Sequence, residues 1–141
     1  MPRIEVGRFG TEQAQLYRLS NDAGMVVTLT NFGARIVDIL LPIDGQLRPV
    51  SLSAQSDEDY LEKDAYVGST VAPVAGRISG AATTIKGELV HFSENEPGRT
   101  LHGGDKASNL QYWQARVDEA ANQVSFNLVL PDGYNGFPGP V

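Results

Sequence analysis

The chain has 141 residues, 41% hydrophobic and 20% charged, which is the size of one domain (1–141) and argues against disorder. Eleven Lys and Arg against 17 Asp and Glu leave a net charge of −6 with no basic stripe, so a nucleic-acid backbone would be repelled rather than attracted. Cys is absent, which excludes disulfides and thiol chemistry and fits a reducing cytoplasm, the expected location. No run approaches the ~18 apolar residues of a membrane span, and Met1-Pro2-Arg3-Ile4-Glu5 lacks the basic-then-apolar start of a signal peptide, so no membrane partner is expected.

Fifteen Gly and eight Pro punctuate the chain at short intervals, and strand-length runs of β-branched and aromatic residues lie between them. That is the pattern of an all-β sandwich or barrel. The first clear strand covers residues 25–30, and after Asn31-Phe32-Gly33 a second covers 35–41. In that second run Ile36, Asp38 and Leu40 alternate with Val37, Ile39 and Leu41, so both faces are apolar apart from one Asp and both are expected to be covered. Pro42-Ile43-Asp44-Gly45 reads as the turn that follows. Residues 56–63 form the one helical candidate, with Ser56 as N-cap and an acidic first turn facing the positive end of the helix. Further strands are expected at 82–86, 89–92, 112–117 and 124–130, with Lys86-Gly87 at one hairpin tip and Asn122 in another turn. The last eleven residues, 131–141, are a dense turn segment carrying Tyr134 and Phe137. Loops with that apolar content normally lead into a further strand, so the chain reads as a domain cut before completion, with an unpaired strand edge that invites self-association.

Nucleotide-binding glycine motifs, a phosphate loop, His-Glu-x-x-His and Gly-x-Ser-x-Gly are all missing. The titratable residues to weigh are His91, His102, Glu88, Glu94, Glu96 and Arg77. His102 precedes Gly103-Gly104, a pair that lets the backbone turn sharply and a ligand approach the main chain, with an imidazole able to move a proton near neutral pH. From position alone, a surface turn with an incidental His stays open. His91 lies in a strand and is expected to face solvent or a neighbouring strand. Grouping His91, Glu94, Glu96 and His102 around a metal lacks the required spacing, so no metal is expected. Arg77, among small neighbours, can reach into a groove with several N–H donors, or pair with a carboxylate as a structural cation. Tyr66, Tyr112, Trp113 and Phe137 are candidates to stack on a sugar ring, although most should be core or groove wall.

Several segments together resemble the aldose 1-epimerases, also called galactose mutarotases. They are Thr30-Asn31-Phe32-Gly33-Ala34, Asp59-Tyr60-Leu61, Val67-Gly68-Ser69-Thr70-Val71, Gly76-Arg77-Ile78, Leu101-His102-Gly103-Gly104, and Pro131-Asp132-Gly133 with Gly136-Phe137-Pro138-Gly139. They occur in the family's order over nearly the whole chain. The resemblance implies an antiparallel β-supersandwich of the galactose mutarotase type, represented here by its N-terminal half. It also implies a free hexose as substrate, interconversion of its α and β anomers by acid/base ring opening, and no cofactor.

By the same resemblance His102 is the motif histidine, catalytic and in contact with the sugar near its ring oxygen, and Arg77 holds sugar hydroxyls. Gly76 and Arg99 stand where family members often carry Asn. A complete member is about twice this length or more. The family's second histidine and its glutamate base find no counterpart before Val141, so the 141 residues alone are expected to be inactive. The competing expectation is a non-catalytic carbohydrate-binding or interaction module of the same fold.

Overall fold

The N-terminal third carries alternating side chains in short runs joined by tight turns, and it folds as a meander. The computed structural model describes residues 3–63 and 66–141. Strands β1 (Arg3–Phe9), β2 (Thr11–Ser20), β3 (Val26–Thr30), β4 (Arg35–Ile43) and β5 (Gln46–Pro49) form an antiparallel sheet in sequence order. The helix α1 (Asp57–Lys63) follows. Three two-stranded antiparallel ribbons complete the described structure. They pair β6 (Arg77–Ser79) with β9 (Arg99–Leu101), β7 (Ala82–Ile85) with β8 (Glu88–His91), and β10 (Gln114–Asp118) with β11 (Gln123–Asn127).

Local chemistry explains the turns. Lys86 and Gly87 both take positive φ (51° and 87°) at the β7–β8 tip, as a two-residue hairpin tip requires to match strand twist. Asn122, at φ 50°, closes the β10–β11 turn. At α1 the Ser56 hydroxyl accepts the Asp59 amide (3.1 Å), and the Asp59 carboxylate accepts the Gln55 amide (3.0 Å) and the Lys63 ammonium (3.0 Å).

Three expectations need correction. The turn after the second strand is only Asp44-Gly45, and Pro42 and Ile43 belong to β4. Pairing with β3 ends at Leu40, so at Pro42 the strand has a partner on one side only, where a missing N–H is tolerated. β4 is not covered on both faces by the described residues, since Ile36 is 42% and Ile43 39% exposed while Val37 is buried. The register slips between Thr28 and Leu29, leaving Val37 as an extra bulge residue that breaks the simple alternation. Finally, β1 and β2 were not among the expected strands. Polar residues dilute their periodicity, and from Arg3 to Arg8 only Ile4 is even half-buried.

The core lies where β1, β2, the β3–β4 loop, β4 and α1 meet: Phe9, Ala14, Phe32, Val37 and Tyr60, flanked by Leu16, Ala54, Val67, Leu110 and Tyr112. Arg35 is fully buried beside it. Its guanidinium donates to the carbonyls of Phe32 (3.1 Å), Val67 (3.0 Å) and Asn109 (2.9 Å) and lies 4.0 Å from the Tyr60 ring centroid. One side chain thus ties two distant segments and the adjoining β3–β4 loop to the sheet. Gly68 fits against this junction only without a side chain, because a Cβ would collide with the Ile36 carbonyl oxygen. Asp57, also fully buried, accepts the Thr11 amide (3.1 Å), the Thr11 hydroxyl (2.6 Å) and the Tyr112 hydroxyl (2.6 Å).

The accessible surface is 8520 Å², against about 7,100 Å² expected for a folded monomer of this mass. Among the described residues β1 and β5 are the outer strands of the sheet, and Leu47, Val50, Leu52, Leu89 and Val129 are exposed, in line with the excess.

Candidate functional site

Pairing of β6 with β9 sets the geometry. Arg77 lies opposite Leu101, so the residue before Arg77 faces the residue after Leu101. Gly76 and His102 are joined twice: the His102 amide donates to the Gly76 carbonyl (2.9 Å), and the Gly76 amide donates to His102 Nδ1 (3.0 Å). An N–H aimed at Nδ1 requires that nitrogen to be unprotonated, so the neutral ring carries its proton on Nε2. His102 therefore keeps a hydrogen-bond donor at Nε2. The Tyr66 ring packs against the imidazole with centroids 4.8 Å apart and fixes its plane.

The carboxylate-paired reading of Arg77 is the one the structure contains. Its guanidinium is gripped in fork fashion by Glu96, with Nε to Oε2 at 2.7 Å and Nη2 to Oε1 at 2.9 Å, yet the side chain remains 52% exposed. Hydrogen bonding and the charge of Arg77 hold the Glu96 carboxyl below the ordinary carboxylate range, with smaller help from Arg99 and His102. The same hydrogen bonds raise Arg77 further. A carboxylate so occupied is a poor proton acceptor. Glu94 is engaged too, accepting the Gly98 amide (2.6 Å).

The Gly103-Gly104 turn has a packing reason for its glycines beside the one read from the sequence. Both glycines are buried. A Cβ at Gly103 would strike the Ala72 carbonyl, and one at Gly104 would strike Ser93 Oγ. Asn135, from the C-terminal segment, donates to the carbonyls of Gly103 (2.9 Å) and Asp105 (2.7 Å) and braces the turn from behind. Tyr134 adds a bond to the Lys106 carbonyl (2.7 Å). The segment 131–141 thus buttresses His102, and its last residue pairs with Leu130 in both directions.

Of the four aromatic candidates only Tyr66 reaches the site. Tyr112 packs on Phe32 and bonds Asp57, the Trp113 indole donates to the Ser108 carbonyl (2.9 Å), and Phe137 stacks on Phe92 (4.4 Å). His91 is exposed on β8, and among the described residues no group of three or more His, Cys, Asp or Glu is arranged to hold a metal. A groove of about 520 Å³ lined by Ile85, Lys86, Val90 and Pro138 includes neither Arg77 nor His102. Sequence reasoning missed Asn135 and Asn95. Asn95 accepts the Leu101 amide (2.7 Å) and donates to the Leu101 carbonyl (2.9 Å), clamping the residue before His102, and nothing in local sequence marks either asparagine.

The sequence profile described as aldose 1-epimerase matches residues 15–141. The aldose 1-epimerase of Escherichia coli K12 is 37% identical over 126 residues, covering 89% of this chain and 36% of that protein. Galactose mutarotase of Bos taurus is 31% identical over 131 residues, 92% of this chain and 37% of that one. The crystal structure of galactose 1-epimerase from Lactobacillus acidophilus NCFM superposes with a TM-score of 0.81 at 28% identity, covering 99% of this chain and 42% of its own. The antiparallel β-rich fold is that of the galactose mutarotases, and the chain spans a little over a third of the length of these relatives.

Proposed function

The chain belongs to the aldose 1-epimerase family, and from that premise we propose that its 141 residues carry the sugar-binding face of a hexose mutarotase. The observation that carries this reading is the double tie between His102 and Gly76, the neighbour of Arg77, which fixes the imidazole with its donor at Nε2, while the Arg77 guanidinium stays accessible. In the family reaction a base takes the anomeric hydroxyl proton while the ring oxygen gains one. The C1–ring-oxygen bond breaks to give an open aldehyde, the C1–C2 bond rotates, and closure on the other face yields the second anomer. His102, donating through Nε2, suits the ring oxygen, and Arg77 suits hydroxyls of a hexose such as galactose or glucose. No cofactor enters this scheme.

An acid and a base must act together on one bound sugar, and losing either removes most of the rate gain. Within these residues Glu94 and Glu96 are tied up by hydrogen bonds, and neither the family's second histidine nor its glutamate has a counterpart. The 141-residue chain by itself therefore binds sugar and turns it over poorly or not at all. The same engaged carboxylates favour the second reading, a non-catalytic carbohydrate module. The edge positions of β1 and β5 in the sheet support self-association, and a composition without Cys is compatible with the cytoplasm.

Polarimetry of freshly dissolved α-D-galactose tests the proposal when paired with a binding titration. Expected are the spontaneous rate of mutarotation and saturable galactose binding that His102→Ala abolishes. Acceleration by the 141-residue chain that disappears in His102→Ala would overturn the inactivity. Absence of saturable hexose binding would overturn the sugar-site assignment.

A further inference from the structure

The loop between β8 and β9 holds both halves of the site at once. It is closed by reciprocal backbone bonds between Glu96 and Arg99 (3.0 and 3.3 Å), by the Gly98 amide on Glu94, and by the Thr100 hydroxyl on the Ser93 carbonyl (2.8 Å). From this frame two consecutive side chains reach out. Asn95 grips both backbone groups of Leu101, the neighbour of His102, and Glu96 grips Arg77. We propose that Glu96 is a positioning residue for sugar recognition: its carboxylate takes the Nε and Nη2 edge of Arg77 and leaves Nη1 to meet the ligand. This rests on the sugar-site reading above.

The physical case is one of preorganisation. Arginine has five N–H donors on a long flexible stem, and an unpaired one must be ordered as ligand binds. Here the fork to Glu96 orders the guanidinium in the free protein, although the side chain is half exposed. Nη1 has no hydrogen-bond partner among the described residues, whereas Nε and Nη2 are both used. Glu96 itself is held more firmly than its partner. Its side chain is 28% exposed, its backbone is pinned at both N–H and C=O, and Arg99 Nε lies 3.8 Å away as a weaker second cation. The anchor is thus the loop and the oriented group is Arg77.

The test is a double-mutant cycle on the 141-residue chain, read by ¹⁵N NMR with galactose as titrant. Glu96→Gln keeps the shape and removes the charge, so the Arg77 guanidinium should lose its restricted rotation while the backbone spectrum stays folded. Galactose affinity should fall about 5- to 10-fold, and Glu96→Asp should recover part of it. In an Arg77→Ala background Glu96→Gln should then cost nothing more, because the carboxylate acts only through that guanidinium. Equal loss in both backgrounds, or full galactose affinity in Glu96→Gln with Arg77 released, overturns the proposal. A wild-type chain with a rigid Arg77 and no galactose saturation overturns the sugar reading and this inference with it, an outcome distinct from the other two.

Discussion

The region around Arg35 and Asp57 and the region around Arg77 and His102 each contain a cation and a carboxylate held by hydrogen bonds, but the two sets differ in burial. Arg35 and Asp57 are fully buried, and their bonds to Val67, Asn109, Thr11 and Tyr112 join segments far apart in sequence. Arg77 and Glu96 are paired at the surface of a two-stranded ribbon, and His102 is only half-buried. Removing a buried charged hub orphans several polar groups that water cannot reach, whereas removing a surface group leaves its partners to solvent. The first region should therefore govern folding and the second recognition, with little cross-talk.

Four changes would break or sharpen that contrast. The largest effect should come from Arg35→Ala, which strands the carbonyls of Phe32, Val67 and Asn109 and empties the space over Tyr60. A loss of about 3–5 kcal/mol is expected, visible as a thermal midpoint lowered by 10 °C or more. Next is Asp57→Ala, at about 2–4 kcal/mol, because the Thr11 and Tyr112 donors lose their acceptor.

Asp57 also makes a pH prediction. Burial pushes its carboxyl up, but bonds from the Thr11 and Tyr112 hydroxyls and the Thr11 and Glu58 amides outweigh this and hold it below the ordinary carboxylate value. Its contribution should be fully present above the unfolded-state pKa of about 3.9 and be lost as pH falls through the lower folded value. Denaturation followed by circular dichroism below pH 4 should show this loss in the wild type and a flatter response in Asp57→Ala.

Smaller still in stability is His102→Ala. The thermal midpoint should move by no more than about 2–4 °C, while galactose binding disappears from the titration. An equally large drop in both would mean that the ribbon is part of the folding core. The smallest expected change is Gly76→Asn. Gly76 has φ +83° and open space where a Cβ would sit, and Asn tolerates that conformation better than other side chains. Stability should stay within about 0.5–1 kcal/mol of wild type. Calorimetry with galactose should show equal or tighter binding, and weaker binding would mean that a side chain at position 76 obstructs Arg77 or His102.

Local signals were legible wherever one short stretch decides its own conformation. Lys86-Gly87, Asn122 and the Ser56-capped helix all emerged because φ > 0 and N-cap chemistry depend on a few neighbouring atoms. The strands β1 and β2 were not legible, since their apolar residues are thinly spread and their pairing partners supply the order. At the site, the motif residues Arg77 and His102 could be named from sequence, but their supports could not. Glu96 was visible only as one carboxylate among several, and Asn95 and Asn135 carry no signature because they act across 6 and 32 residues.

Composition, turn chemistry and motif order were thus enough to identify an all-β chain and its family, and to nominate two side chains for the candidate site. Tertiary structure decided the rest: which carboxylate holds Arg77, which nitrogen of His102 carries the proton, and which neighbours leave no room for a side chain at Gly103 and Gly104. The reason is physical. Backbone conformation follows from local sterics, whereas hydrogen-bond partners and tautomers depend on whatever the folded chain brings within 3 Å.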